Sequence, residues 1–179
     1  MVGKKIGVLI VDDSLLFRKK LEQSLSADPR IEIVGTAMDP ADAMKKIEAL
    51  NPDVLTLDVE MPKMNGIEFL KKLMPQRPIP TIVVTSLPLN ALDALQAGAV
   101  DFVKKPVVKG PNDLKNFIKD LAFKIKIAST AKVRRALPAT ARTMPSLTQR
   151  LSANKSYSPN QIIAIGASTG GTEAILEVV

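Results

Sequence analysis

A parallel, doubly wound α/β domain of five strands is the fold class that this sequence predicts, and three observations carry it. Apolar strand-like runs recur at Ile6 to Val11, Ile31 to Ala37, Val54 to Leu57, Thr81 to Thr85 and Val100 to Val103, with helical patterns between them. That alternation belongs to a parallel sheet covered by helices. The third run, with Val54, Leu55 and Leu57, is too short for a helix and reads as a strand buried on both faces. Five βα units within about 125 residues fit a flavodoxin-like strand order, whose switch point lies between strands one and three.

Taken in order, the first run leads directly into Asp12 and Asp13. After the second run, Asp39 and Pro40 have the form of an N-cap and first-turn proline; Ala43, Met44, Ile47 and Leu50 then share one helical face until Asn51 and Pro52 stop it. The third run ends in Asp58, and a Met61-Pro62 loop carries the backbone away. Between the fourth and fifth runs, Leu89 to Ala97 predicts a short helix with Gly98 placed to cap its end. Leu114, Phe117, Ile118, Leu121 and Ile125 repeat at three and four, predicting a fifth helix with lysines opposite that ends the domain near residue 127. From 128 to 159 the periodicity fails; Ser, Thr, Ala and Pro138, Pro145 and Pro159 mark a flexible linker. A strand-like run, Gln161 to Ile165, a glycine turn and a helical pattern follow, so residues 160–179 read as the start of a second α/β domain, cut off at Val179.

The chain has 179 residues, no cysteine and no histidine. Disulfides, thiolate or imidazole metal sites and any histidine-assisted nucleophile contained within these residues are therefore excluded. The apolar run behind Met1 to Lys5 is too short for a signal core or a spanning helix, so the chain reads as cytoplasmic, without membrane insertion. The net charge of +7 belongs mainly to the linker, where Lys132, Arg134, Arg135, Arg142, Arg150 and Lys155 have no acid beside them. Contact with nucleic acid or an acidic partner surface is one reading of those cations. A solvated tether is favoured, because Tyr157 alone supplies no aromatic series for base stacking.

Asp12, Asp13 and Asp58 thus flank the switch point, at the carboxyl ends of strands, where open α/β sheets bind ligands. Like charges sharing a small site raise one another's pKa unless a cation intervenes, and all-oxygen ligation by few protein groups suits Mg2+. An acidic, metal-dependent pocket follows from the residues alone.

VLIVDDS, LTLDVEMPKMNG, VVTS and VKKP, in this order and spacing, resemble the receiver domain of two-component response regulators over residues 5 to about 125. The resemblance implies that Asp58 accepts a phosphoryl group from a sensor kinase's phosphohistidine. It further implies that Asp12 and Asp13 hold Mg2+ with Asp58 and the backbone carbonyl of Glu60, and that Thr85 and Lys105 meet the phosphoryl oxygens. Phe102 stands where the family more often has a tyrosine that follows the phosphorylation switch; plain packing is the rival role for it. The chemistry suits the kit, since phosphoryl transfer asks mainly for positioning and charge stabilisation and Lys105 is a compact point charge.

The turn Gly166-Ala-Ser168-Thr-Gly170-Gly171 has the spacing of a nucleophile elbow. A phosphate loop is the rival motif, but Thr172 stands where its lysine belongs; a plain strand-to-helix turn is the other. A receiver, a long basic linker and IIAIGASTGGTEAI together resemble the chemotaxis response regulator protein-glutamate methylesterases, the CheB family. That resemblance implies that Ser168 is the esterase nucleophile acting on methylated glutamates of chemoreceptors, with glutamine deamidation in many members. It implies a histidine base and an aspartate that lie beyond Val179, and an unphosphorylated receiver that limits access to the catalytic site. The expectation is an N-terminal portion of a longer enzyme, inactive as an esterase by itself because it contains no histidine. The alternatives are a stand-alone phospho-receiver acting by partner binding, and, more weakly, a DNA-binding regulator, for which a helix-turn-helix is missing after the linker.

Overall fold

A computed structural model describes residues 4–62, 64–86, 88–107 and 111–133. The linker from residue 134 onward, the start of the second domain and the turn at Ser168 lie outside the described residues. Ten elements alternate: β1 (Ile6–Val11), α1 (Leu15–Leu25), β2 (Ile31–Ala37), α2 (Pro40–Leu50), β3 (Val54–Asp58), α3 (Gly66–Gln76), β4 (Thr81–Thr85), α4 (Pro88–Gln96), β5 (Asp101–Lys104) and α5 (Pro111–Ala128). The strands pair in parallel in the order β2-β1-β3-β4-β5, so the chain reverses direction of growth between β1 and β3, as the sequence predicts.

Short polar side chains start the helices. Ser14 accepts from the Phe17 N–H, Asp39 from the Asp42 N–H and Asn65 from the Ile67 N–H. Asn51 ends α2 in the left-handed region, with φ of 52°. At the end of α4, Gly98 takes φ of 107°, and the N–H groups of Gly98 and Ala99 return to the carbonyls of Leu95 and Ala94, a two-bond cap that needs a residue tolerant of positive φ.

Two cores cover the sheet. Leu9, Leu55, Leu57 and Val83 point into a layer with Ile47, Phe69, Leu70 and Leu73 from α2 and α3. Val8, Ile10, Val54, Ile82 and Val84 point into the other with Leu21, Leu25, Phe117, Leu121 and Ile125 from α1 and α5. This two-sided burial is why the inner strands read as continuous apolar runs.

Boundaries of β3, α4 and β5 differ by one residue from the hydrophobic pattern. β3 runs on through Asp58, which pairs with Val84, and β5 begins at Asp101, opposite Ile82, rather than at Val100. Apolar character reports burial, whereas a strand's ends are set by where its neighbour offers hydrogen-bond partners. Among the described residues no helix is long and apolar enough to cross a membrane.

Candidate functional site

The carboxyl edge of the sheet gathers the acids. Val11 is in register with Leu57, so the following residues, Asp12 and Asp58, leave β1 and β3 side by side. Asp12 donates its N–H to Ala37 O at 3.1 Å and its Oδ1 accepts the Ser14 N–H at 2.8 Å, which fixes the turn into α1. Asp58 Oδ1 accepts the Glu60 N–H at 3.1 Å. The loop behind it folds back closely enough that a Cβ on Gly66 would collide with the Asp58 carbonyl oxygen. Glycine at 66 therefore lets α3 begin directly behind the aspartate.

Asp12, Asp13 and Asp58 each offer a carboxylate oxygen, all within 4.8 Å of one another. Asp12 and Asp58 are buried, while Asp13 is exposed. Lys105, just past β5, spans the buried pair: its Nζ lies 2.9 Å from Asp12 Oδ2 and 2.8 Å from Asp58 Oδ2. Burial, reinforced by the Asp58 charge, pushes the Asp12 carboxyl above its ordinary value although Lys105 opposes the shift. Burial alone would lower the Lys105 ammonium, but its hydrogen bonds to Asp58 and Asp12 outweigh that and raise it, so it stays charged. Three carboxylates outnumber the Lys105 ammonium and the nearby Arg18 guanidinium, which leaves net negative charge at the sheet edge, in an all-oxygen donor set of the kind that holds Mg2+.

The sequence-derived residues converge in part. Thr85 ends β4, buried, and its carbonyl accepts the Lys105 N–H at 2.9 Å. Glu60 is exposed and borders the site through its N–H to Asp58. Phe102 is half-buried on β5, where Lys124 of α5 reaches across to donate to the Phe102 carbonyl at 2.6 Å and to Asp101 Oδ1 at 3.1 Å, with its Nζ 5.4 Å from the Phe102 ring centroid. Ser168 lies outside the described residues.

Three contributors were not legible. Phe17 places its ring 4.7 Å from Lys105 Nζ and 5.9 Å from the Phe117 ring. Arg18 sends its guanidinium back along α1 to the carbonyls of Asp12, at 2.5 Å, and Asp13, at 3.1 Å. Lys124 is the third. Lys105 and Phe17 are 88 positions apart in a chain whose pattern signals only neighbours three or four apart, so no local spacing marks them. Arg18 follows the acid pair by a helical turn and a half, a weak signal readable only once Ser14 is taken as the N-cap.

Residues 8–138 match the family model of the response regulator receiver domain. Over 98% of its length this chain is 50% identical to a protein-glutamate methylesterase/protein-glutamine glutaminase of Syntrophotalea carbinolica, of which it covers 51%. A relative of the same description from Nitrosomonas europaea is 47% identical, with 98% of this chain and 50% of that protein covered. The chain spans about half the length of the curated relatives it matches. Among solved structures, the response regulator domain of Thermotoga maritima CheB aligns with a TM-score of 0.66 and 37% identity, over 72% of this chain and 99% of that one. A CheX-CheY-BeF3-Mg complex from Borrelia burgdorferi aligns with a TM-score of 0.59 and 28% identity, over 72% and 92%.

Proposed function

The chain belongs to the family of response regulator receiver domains, and from that premise we propose that Asp58 is its phosphoacceptor, charged by the phosphohistidine of a sensor kinase. The observation that carries this reading is a buried carboxylate at the end of β3, bonded to Lys105 and flanked by two further acids. A carboxylate oxygen of Asp58 forms the new P–O bond as the P–N bond of the phosphohistidine breaks, and the electron pair leaves with the imidazole nitrogen. Lys105 Nζ, already at Asp58 Oδ2, stabilises charge on the transferred group, and the Thr85 hydroxyl meets a phosphoryl oxygen. Asp12, Asp13, Asp58 and the Glu60 carbonyl would hold Mg2+, which when bound supplies charge neutralisation to an otherwise repelling set. The Borrelia burgdorferi relative solved with BeF3 and Mg supports this assignment. Phe102, on β5, answers the movement of Thr85, without the hydroxyl a tyrosine would add.

For the output, the methylesterase/glutaminase relatives support a further reading. We assign residues 1–127 to the receiver, 128–159 to a basic flexible linker and 160–179 to the first part of a methylesterase domain, with Ser168 as nucleophile. In the whole protein the phosphorylated receiver frees that domain to hydrolyse methyl-glutamate, and to deamidate glutamine, on chemoreceptors in the cytoplasm. These 179 residues contain no histidine to activate Ser168, so alone they accept phosphate and release no methanol.

The test is incubation of the chain with acetyl phosphate and Mg2+, read by intact mass. Wild type is expected to gain one phosphoryl group and Asp58→Asn none; equal incorporation in both would remove Asp58 from this role.

A further inference from the structure

Arg18 is buried, with 8% of its surface exposed, beside an acidic cluster, yet it bonds no carboxylate of that cluster. Arginines this buried are paired, and the partners of this one are main-chain oxygens. One terminal nitrogen donates to the carbonyls of Asp12 and Asp13, which lie between the β1 ladder and the first helical bond of α1, Arg18 N–H to Ser14 O. With the Ser14 N–H on Asp12 Oδ1, the whole Asp12 to Ser14 turn is tied from two sides. We infer that Arg18 is a positioning residue for the metal-binding turn: it clamps the backbone of Asp12 and Asp13 and leaves their carboxylate oxygens to Lys105 and the cation.

This rests on the reading that Asp12 and Asp13 hold Mg2+. Two effects of Arg18 on that cation have opposite signs. Its positive charge repels a metal in the same pocket, so losing charge alone would tighten Mg2+ binding. Losing the clamp loosens two ligands, and removing a partner that orients metal ligands weakens binding. The sign of the change therefore separates a positioning role from mere proximity.

The experiment is calorimetric titration of the full chain with Mg2+, for wild type, Arg18→Met and Arg18→Lys, each checked by circular dichroism to be folded at the titration temperature. Arg18→Met is expected to bind Mg2+ about tenfold or more weakly. Arg18→Lys, which keeps the charge and can still reach one carbonyl, should recover part of the loss. Equal or tighter binding by Arg18→Met overturns the inference. If Arg18→Met is unfolded, Arg18→Lys decides alone, and wild-type affinity in it is then the overturning result. Wild type that takes up no Mg2+ fails the metal-site reading itself, and is told apart because the unsubstituted chain is then silent.

Discussion

The same chemical pair, aspartate with lysine, occurs at two ends of this molecule with opposite consequences. Near the sheet's carboxyl edge, Lys105 meets both Asp12 and Asp58, and burial with the second carboxylate pushes Asp12 above its ordinary pKa. Near the start of β2, Lys126 of α5 meets Asp28 alone at 2.7 Å, and that hydrogen bond, with the Arg30 N–H, holds Asp28 below its ordinary pKa. One pair ties α5 to the turn before β2 and is locally satisfied. The other is one cation short. A site held in that imbalance stabilises whatever brings more positive charge to it, which is what a phosphoacceptor pocket with a divalent metal needs.

Removing the shared cation should have the largest effect. Lys105→Met leaves two buried carboxylates without their counter-ion, and the metal-free protein is expected to lose about 3–5 kcal/mol at neutral pH, measured by urea unfolding in chelator. A loss no larger than that of the Asp28 pair would erase the contrast. The second test is pH. Asp28, with its folded pKa lowered, contributes stability that is fully present above its unfolded value of 3.8 and is lost as pH falls through the folded pKa. Asp12, with its folded pKa raised, costs stability as pH rises from 3.8 through its folded value. In chelator, Asp28→Asn should flatten the acid limb and destabilise by about 0.5–1 kcal/mol at neutral pH. Asp12→Asn should instead raise stability at neutral pH; matching slopes for the two variants would sink the comparison. The smallest effect is expected for Lys124→Met. It removes the donor to the Phe102 carbonyl on the edge strand β5 and should cost about 0.5–1 kcal/mol, leaving acetyl phosphate labelling of Asp58 intact. Lost labelling would show that phosphate uptake at Asp58 depends on Lys124.

Much of this fold was open to reading because its rules are local. Asp39-Pro40, Asn51 and Gly98 mark helix ends by backbone chemistry that involves only a few neighbours, and each sits in the structure where that chemistry requires. The acid cluster was legible for a related reason: parallel strands in this order put the residue after β1 beside the last residue of β3, so Asp12 and Asp58 had to meet. Phe17 and Lys124 were not legible, since each acts on a residue that only the packed fold brings near; Arg18, five and six residues from the carbonyls it holds, left only the weak signal of its spacing. The one-residue shift in β5 has the same origin, because Val100 is as apolar as a strand residue but offers its N–H to Thr81 O outside the ladder.

By itself, the sequence determined the alternation of strands and helices, the two-sided burial of the inner strands and which carboxylates stand at the sheet edge, since periodicity and chain order suffice for each. Tertiary structure alone decided that Lys105, 47 residues beyond Asp58, bridges two acids and that an aromatic lies beside it. Contacts of that kind depend on distances across the sheet and on which rotamers packing leaves open, and a linear pattern carries neither.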